Sequence, residues 1–260
     1  MTTQITLEDV SSHIYELCVD SESGQDLGII SKDPKLDITF QNSDYSIEQS
    51  ISNLNNSSSS TGFVLWKITI PFIKWLQQRN VYDFHGKFVI EIGSGVTGLL
   101  ASTIGPKTGH YISTDQYHLL KLLKKNIINN VPLFRSSTME CEGIPKRKHA
   151  LPVLDVVTFD WEHIDQGLFE INQVQNGDPD FIIGCDVVYN DYLVPFLVDS
   201  IVRLMGDDTK VLMGLQLRLP ENIEHFVTVV LEKGLKIFKH DEELLIDELK
   251  TGFVVYLITK

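Results

Sequence analysis

The chain has 260 residues, 43% hydrophobic and 22% charged, a balance typical of a soluble globular protein with a substantial core. Its net charge of −13 argues against a large nucleic-acid-binding face, because phosphate binding depends on clustered lysine and arginine. Three cysteines without a C-x-x-C pair favour neither a metal site nor disulfides, and without an apolar run of roughly 18 residues we expect a cytoplasmic protein with no membrane span.

The N-terminal part reads as an extension over residues 1–62, followed by one main domain over 63–260. LDITF (36–40) and YSIEQSI (45–51) alternate apolar and polar residues around the turn-forming QNSD, which predicts a β-hairpin. The Ser/Asn-rich stretch 52–62 predicts a flexible loop. A helix is predicted over 68–79, capped by Thr69 and with Pro71 in its first turn.

From Lys87 onward, apolar strands alternate with helical patterns. Strands are predicted at KFVIEI, HYIST, LPVLDVVTF, PDFIIGCDVV, KVLMGLQL and GFVVYLIT, and helices at VTGLLASTI, QYHLLKLLKKNIINN, YLVPFLVDSIVRLM and ENIEHFVTVVLEKG. Alternation at this spacing implies a mostly parallel sheet covered by helices on both faces. The predicted fold class is therefore α/β and doubly wound.

A glycine turn follows the first of these strands. Gly93, Gly95 and Gly98 fit G-x-G-x-x-G, a spacing used for dinucleotides and also for S-adenosylmethionine. Asp115 lies 22 residues after Gly93 and ends the next strand, where a carboxylate can accept hydrogen bonds from two ribose hydroxyls. Together these features predict nucleoside binding. The alternative is a tight turn in which Gly98 only permits close helix packing and Asp115 caps the next helix.

Two observations favour S-adenosylmethionine over NAD as the nucleoside cofactor. Glu91 lies two residues before Gly93, where it suits the ammonium of a methionine moiety better than a pyrophosphate. The eight histidines are scattered, and none resembles the proton donor of a nicotinamide-dependent enzyme. An NAD oxidoreductase is the less favoured alternative.

Several motifs occur in an order more restrictive than the glycine turn alone. They are QDLGI, QSISNL, TGFVLW, EIGSGVTG, STDQ, FDWEHI and CDVVYNDYLVPFL. With these motifs the chain resembles, over nearly its whole length, the seven-strand lysine methyltransferases of the methyltransferase-like 21 type. Within that family it is similar to the fungal enzymes that act on ribosomal proteins. The resemblance implies the class I methyltransferase fold, a Rossmann-like seven-stranded sheet whose last strand is antiparallel.

The resemblance also implies which residues surround the cofactor and the target lysine. The predicted cofactor-binding residues are Trp66, Glu91, Gly93, Ser94, Gly95, Asp115, Asp160, Trp161 and Cys185. The glycine turn would form the floor of the pocket, Asp115 would hold the ribose, and Trp161 would lie along the adenine. Asp186 and Tyr189 would face the target lysine. The alternatives are core packing for the tryptophans and Cys185, a helix cap for Asp186, and a place on the rim for Tyr189.

The expected activity is lysine methylation of a large-subunit ribosomal protein by a monomer that contacts neither nucleic acid nor membrane. An acidic enzyme suits a basic substrate protein. We hypothesise that Asp186 orients the cofactor's amino group or the lysine, while Tyr189 borders the lysine channel. Two other functions stay open, a methyltransferase for RNA or a small molecule, and a non-catalytic partner of a ribosomal protein that retains the cofactor pocket.

Overall fold

The computed structural model describes residues 2–19, 28–54, 61–78, 81–140 and 151–260. Most of the predicted loop 52–62, and the first three residues of QDLGI, lie outside these ranges. The chain divides into two compact units. The first unit comprises Met1–Gly28, Ile68–Asp83 and Asp178–Lys260, and the second comprises Ile29–Lys67 and Phe84–Gly177. The domain boundary predicted at residue 62 stays a prediction.

The described residues contain ten strands and nine α-helices. The strands are β1 (Thr2–Ile5), β2 (Lys35–Phe40), β3 (Ser43–Glu48), β4 (Phe88–Ile92), β5 (His110–Asp115), β6 (Leu154–Thr158), β7 (Phe181–Cys185), β8 (Lys210–Gln216), β9 (Lys236–His240) and β10 (Phe253–Thr259). The helices are α1 (Val10–Val19), α2 (Ile51–Leu54), α3 (Thr69–Leu76), α4 (Leu99–Thr103), α5 (Tyr117–Asn130), α6 (Ile164–Val174), α7 (Val194–Leu204), α8 (Pro220–Glu232) and α9 (Asp247–Lys250).

In the second unit, β4, β5 and β6 pair in parallel in that order. β4 is buried along its whole length, as expected of a parallel strand covered on both faces. The register places Glu91 beside Ser113 and Asp115 beside Thr158. Because parallel strands end at one edge of the sheet, the segments that follow β4, β5 and β6 all begin at that edge.

The second unit also contains the predicted hairpin, β2–β3, which is confirmed. Its two-residue turn consists of Gln41 and Asn42, with φ of 47° and 63°. These left-handed values are those of the type I′ turn, whose twist matches that of the paired strands. The hairpin register then aligns Phe40 with Ser43 and Lys35 with Glu48.

Two asparagines of α5 satisfy the free edge of β3. The Asn126 side chain accepts from the Glu48 amide at 2.9 Å and donates to the Glu48 carbonyl at 2.8 Å. Asn130 makes the same pair of bonds with Ser46, at 2.7 and 2.9 Å. The two amides are four residues apart and therefore lie on one face of the helix. They replace the neighbouring strand that an edge would otherwise need.

In the first unit the strand order is β1–β9–β10–β8–β7. β7 and β8 are parallel, whereas β10 runs antiparallel to β8 and β9, and β1 runs antiparallel to β9. The predicted antiparallel last strand is confirmed. The described strands outside the hairpin number eight instead of seven, and the additional strand is β1, which the polar N-terminal sequence did not predict.

Helix α3 supplies large core side chains to the first unit. Phe72 and Trp75 are fully buried, and the Trp75 indole donates to the Leu244 carbonyl at 2.8 Å. A Cβ on Gly214 would lie 2.8 Å from the Phe72 ring, so a glycine at this position of β8 gives the ring its space. The predicted cap at Thr69 is wrong, because α3 begins at Thr69 and has no side-chain cap.

Five further elements escaped the sequence analysis, β9 and helices α1, α2, α6 and α9. Gly167 and Ile171 are the only buried residues of α6, although Ile164, Leu168 and Ile171 have a helical spacing that the sequence analysis overlooked. A Cβ on Gly167 would lie 2.2 Å from the Phe159 ring, so close packing required a residue of poor helix propensity. α1 buries His13 beside Val10 and Ile14, and a buried histidine blurs the apolar pattern.

The predicted α/β class is confirmed by these strands and helices. Across the ranges that the structure describes, no helix is both long enough and apolar enough to span a bilayer.

Candidate active site

The glycine turn joins β4 to α4 in the second unit. Gly93, Gly95 and Gly98 all have left-handed backbone, with φ of 69°, 61° and 59°, a region that glycine enters without steric strain. A Cβ on Gly95 would lie 2.8 Å from the Gly62 carbonyl oxygen, and one on Gly98 would lie 2.7 Å from Ile127. Gly98 thus permits close helix packing, which was the alternative interpretation of this glycine. Gly95 allows the backbone at Gly62 to approach the turn.

That neighbouring segment is TGFVLW. The Val96 amide donates to the Gly62 carbonyl at 2.8 Å, and Phe63 packs with Val96 and Leu119. Trp66 is half-buried and forms an isolated antiparallel bridge with Ile29. The segment is therefore fixed against the glycine turn at one end, while Trp66 marks the other end.

Gln49, in the motif QSISNL, holds the same segment by its side chain. Its carbonyl oxygen accepts from the Leu65 amide at 3.1 Å, and its amide nitrogen donates to the carbonyls of Ser31 and Asp33 at 2.8 and 2.6 Å. Gln49 is buried, and a buried amide with all these bonds made rigidifies the backbone that it joins.

Ser94 locks the glycine turn to the end of β5. Its amide donates to the Thr114 carbonyl at 2.9 Å, and its hydroxyl accepts from the Thr114 amide at 3.1 Å. The Thr114 hydroxyl donates in turn to the Glu91 carbonyl at 2.8 Å. These bonds continue the β4–β5 ladder into the turn and fix its position.

Glu91 is a carboxylate inside the sheet, 2% exposed. One of its oxygens accepts from the Tyr111 hydroxyl at 3.0 Å and from the Ser113 hydroxyl at 3.2 Å. Burial raises the pKa of Glu91 to about 7 despite these bonds, because desolvation disfavours the ionised form. In the described part of the chain no cationic side chain pairs with it.

Asp115 ends β5 and faces the glycine turn. Its carboxylate accepts from the Gly95 amide and from the Gln116 amide, both at 2.7 Å. Burial, and to a smaller extent the charge of Asp160, raise the pKa of Asp115 to about 6. Gln116 occupies the cap position of α5, so Asp115 is not the helix cap of the alternative interpretation. Within the described residues it too has no cationic partner.

Asp160 and Trp161 follow β6 at the same edge of the sheet. Asp160 caps the short 3₁₀ helix Trp161–His163 by accepting from the Glu162 amide at 3.1 Å. Its other oxygen accepts from the Gln116 side chain at 3.4 Å. Trp161 is half-buried. Because Gln116 is adjacent to Asp115, the acids after β5 and β6 are connected through this contact.

In the first unit, the residues predicted to face the lysine follow β7. The Cys185 thiol donates to the Thr69 hydroxyl at 3.8 Å. Asp186 has a left-handed φ of 59°, and both its oxygens accept from the Arg218 guanidinium, at 2.8 and 2.5 Å. Tyr189 is half-buried. The cap of the next short helix is Asn190, which accepts from the Tyr192 amide at 3.1 Å, so Asp186 is not that cap.

The second unit therefore presents two buried carboxylates beside a preformed glycine turn. Ionised carboxylates in a low-dielectric site are stabilised by cations or by hydroxyl donors. Their raised pKa values mark Glu91 and Asp115 as groups that a positively charged nucleoside would satisfy. S-adenosylmethionine carries a sulfonium, an ammonium and two ribose hydroxyls, which fits this donor set.

Comparison with known proteins decides between the families that use such a turn. A family profile described as lysine methyltransferase matches residues 46–233. The chain belongs to the lysine methyltransferase family. It is therefore a methyltransferase whose methyl donor is S-adenosylmethionine, and the family expected from the motifs is confirmed. The NAD-dependent alternative is not supported.

Two fungal relatives cover almost the whole methyltransferase. The ribosomal lysine N-methyltransferase 5 of Lachancea thermotolerans is 29% identical and aligns with 92% of this chain and 91% of its own. The protein of the same name from Vanderwaltozyma polyspora is 26% identical, with 98% of each chain covered.

Among solved structures, a methyltransferase complexed with SAH, SMU.776, has a TM-score of 0.51 and 10% sequence identity with this chain. The match covers 88% of this methyltransferase and 57% of that chain. At this identity the likeness concerns the fold alone, and it agrees with the predicted class I methyltransferase fold.

Hydrogen bonds connect most of the predicted cofactor residues of the second unit. Glu91, Ser94, Gly95, Asp115 and Asp160 lie in one chain of contacts that runs from the end of β4 to the end of β6. Their roles toward the cofactor, and those of all the predicted site residues, stay predictions.

Sequence reasoning did not assign several residues that contact the predicted ones, and four of them matter most for the site. They are Gly62, Tyr111, Ser113 and Arg218. Ser113 and Tyr111 could have been found, because residues two apart on β5 share a face and the parallel register sets Ser113 beside Glu91. Arg218 had no local signal, since it lies 32 residues from Asp186.

Proposed function

We propose that this methyltransferase transfers a methyl group to the ε-amine of a lysine in a ribosomal protein, and specifically in a protein of the large subunit. The lysine methyltransferase profile over residues 46–233 carries the proposal. The names of the two fungal relatives, which cover at least nine-tenths of this chain, support a ribosomal substrate.

The residues of the second unit fit the cofactor chemically. When bound, S-adenosylmethionine supplies an already activated methyl group. Glu91 would accept a hydrogen bond from the methionine ammonium, and Asp115 would accept hydrogen bonds from the ribose hydroxyls. Each buried carboxylate would then have hydrogen-bond donors in addition to those that the protein provides. The backbone of Gly93, Ser94 and Gly95 would form the floor, with Trp66, Asp160 and Trp161 at its borders.

On the acceptor side, the enzyme has to present a lysine with a free lone pair. A free lysine amine, with a pKa of about 10.4, is mostly protonated at neutral pH. Desolvation of the amine and a nearby sulfonium both disfavour the ammonium form. Tyr189 would border the lysine channel and direct the lone pair by its hydroxyl, while Asp186 would shape the turn that presents Tyr189. Water would carry the proton away.

The surface charge supports a basic protein as substrate. The net charge of −13 favours encounter with a positively charged ribosomal protein and disfavours direct binding to nucleic acid. We propose that the enzyme acts as a monomer in the cytoplasm, on the free or assembling ribosomal protein.

The test is transfer of label from methyl-tritiated S-adenosylmethionine to an extract from cells that lack the enzyme. We expect label in one band of ribosomal-protein size that is sensitive to protease and resistant to ribonuclease. Amino-acid analysis should recover methyl-lysine. Ribonuclease-sensitive label, or cofactor binding with no transfer, would refute the proposal in favour of an RNA substrate or a non-catalytic role.

The variant Tyr189→Phe separates the two halves of the mechanism. It should bind S-adenosylmethionine within threefold of wild type and lower the transfer rate at least tenfold. Equal loss of binding and transfer would place Tyr189 in the cofactor pocket instead of the lysine channel.

A further inference from the structure

The first unit contains a buried ion pair that the assigned roles do not use. The Arg218 guanidinium contacts Asp186 in bidentate geometry, with Nη1 to Oδ1 at 2.8 Å and Nη2 to Oδ2 at 2.5 Å. The Asp186 side chain is 2% exposed and that of Arg218 is 20% exposed. Paired N–H donors in this fork geometry fix orientation as well as charge.

The pair sits where the backbone is strained. Asp186 has a φ of 59°, a left-handed conformation that non-glycine residues seldom adopt, aspartate and asparagine more readily than most. Its amide still donates to the Gly214 carbonyl at 2.8 Å, which extends the β7–β8 ladder by one residue. The side-chain pair to Arg218, after the end of β8, therefore holds the turn against the neighbouring strand. Tyr189 follows three residues later on that turn.

Two more residues build a frame around Arg218. The Gln216 side-chain oxygen accepts from Arg218 Nη2 at 2.9 Å, and the Gln216 amide lies 3.4 Å from Asp186 Oδ1. Gly28 has a φ of +77°, and a Cβ there would lie 2.1 Å from Gln216 Oε1 and 2.6 Å from Arg218 Nη2. Only glycine leaves room for the guanidinium at this place. Two other segments, those of Gly28 and Asp186, thus converge on the segment that carries Gln216 and Arg218.

The charge of the pair bears on the chemistry. A lone buried carboxylate beside the target amine would stabilise the ammonium and oppose methyl transfer. At an effective dielectric constant of about 20, a unit charge about 5 Å away shifts the pKa of an amine by about two units. The guanidinium of Arg218 cancels most of that field.

We propose that Arg218 is a positioning residue for the acceptor lysine, because it neutralises Asp186 and fixes the turn that presents Tyr189. This inference rests on the proposed lysine-methyltransferase function, with Asp186 and Tyr189 on the acceptor side. Asp186 then serves as the anchor of the turn through Arg218 and does not form an ion pair with the lysine.

Three other titratable residues lie on this turn or next to it in the sequence, Cys185, Tyr189 and Asp191. Cys185 donates to Thr69, and Tyr189 lies on the turn itself. Asp191 is exposed and paired with His225 at 2.5 Å. None of these residues forms an ion pair with Asp186 as Arg218 does. Removal of the guanidinium should therefore cause the largest electrostatic change at the turn.

The experiment compares Arg218→Gln, Arg218→Lys, Asp186→Asn and the double variant Asp186→Asn/Arg218→Gln with wild type. Methyl transfer is measured from pH 6.5 to 9.5 with labelled S-adenosylmethionine and ribosomal proteins extracted from cells that lack the enzyme. Cofactor affinity is measured separately by calorimetry. Arg203→Gln, on the exposed face of α7, is the matched control and should leave transfer unchanged.

We expect Arg218→Gln to lower transfer about 100-fold at pH 7.5 and to move the kcat profile about one to two pH units higher, while cofactor affinity stays within threefold. Arg218→Lys should keep the position of the profile but lower the rate. The double variant should return the profile to its wild-type position, because both charges are gone.

An unshifted profile in Arg218→Gln, or a double variant that keeps the shift, would overturn the inference. Loss of cofactor affinity equal to the loss of transfer would also overturn it, since Arg218 would then act on the fold or the cofactor. If Arg218→Gln does not fold, the double variant and Arg218→Lys decide alone. Absence of transfer by wild type would instead refute the proposed function, and the inference would fall with it.

Discussion

Buried carboxylates occur in both units, but they are satisfied differently. Among the described residues, Glu91 and Asp115 of the second unit accept hydrogen bonds only from hydroxyl or backbone groups, and burial raises their pKa values to about 7 and about 6. In the first unit, Asp186 is also buried but forms a bidentate ion pair with the guanidinium of Arg218. The difference indicates that Glu91 and Asp115 are available to a cationic ligand, whereas the charge of Asp186 is already balanced by Arg218.

The largest difference between the two units is expected when one carboxylate without a cationic partner and one carboxylate in an ion pair are each replaced. Asp115→Ala should weaken S-adenosylmethionine binding about 100-fold, because two charge-assisted hydrogen bonds to the ligand are lost. Asp186→Asn should change cofactor affinity by less than threefold. Calorimetric titration of both variants measures the contrast. Equal losses at the two positions would mean that the ion pair does not separate the two carboxylates functionally.

The raised pKa values predict that cofactor binding releases protons. Below pH 7 the free protein carries protonated Glu91, and below pH 6 protonated Asp115, while a bound cation favours both ionised forms. Affinity should therefore fall about 100-fold between pH 7.5 and 5.5, about 25-fold from Glu91 and about fourfold from Asp115. Calorimetry in buffers of different ionisation enthalpy measures the protons released. Glu91→Gln should remove most of the dependence of cofactor affinity on pH above pH 6. An unchanged pH dependence in that variant would contradict the role of Glu91 in cofactor binding.

The glycine turn should contribute a smaller effect. Gly95→Ala introduces a Cβ 2.8 Å from the Gly62 oxygen at a φ of +61°, and the resulting shift of the turn should weaken cofactor binding about tenfold. Gly234→Ala is the matched control, because its φ is +77° but nothing lies within 4 Å of the added Cβ. Cofactor affinity unaltered in both variants would show that the turn tolerates displacement.

Asp155 should have the smallest effect on the cofactor although it is 1% exposed. Burial alone would raise its pKa, but hydrogen bonds from His110, Ser136, Ser137 and Thr138 hold the pKa well below its usual range. Its stabilising contribution is therefore fully present above the unfolded pKa of about 4 and is lost progressively as pH falls from there through the lowered folded pKa.

The variant Asp155→Asn tests this structural role. It should lower the free energy of unfolding by about 3 kcal/mol at pH 7 and leave cofactor affinity within twofold, as measured by urea denaturation and calorimetry. A tenfold change in affinity would show that a fully satisfied carboxylate also serves the ligand, and it would weaken the comparison between the units.

The secondary structure was predictable where apolar residues form a continuous run or recur at regular helical spacing. β4, α5, α7, β8 and β10 lie within two residues of the predicted bounds, because each buries a continuous run or one clear face. Two of the missed helices bury a small or polar residue. Gly167 in α6 and His13 in α1 are buried for reasons of packing, which no local pattern expresses.

By itself the sequence determined the glycine turn, the acids at the strand ends and the family, because these depend on residues close together in the chain. Only the tertiary structure decided which partner each buried polar group has. The register of β4 and β5 brings Ser113 to Glu91, and the end of β8 brings Arg218 to Asp186. A buried charge needs a partner that strand pairing selects across long stretches of chain, and pairing arises only when the fold is complete.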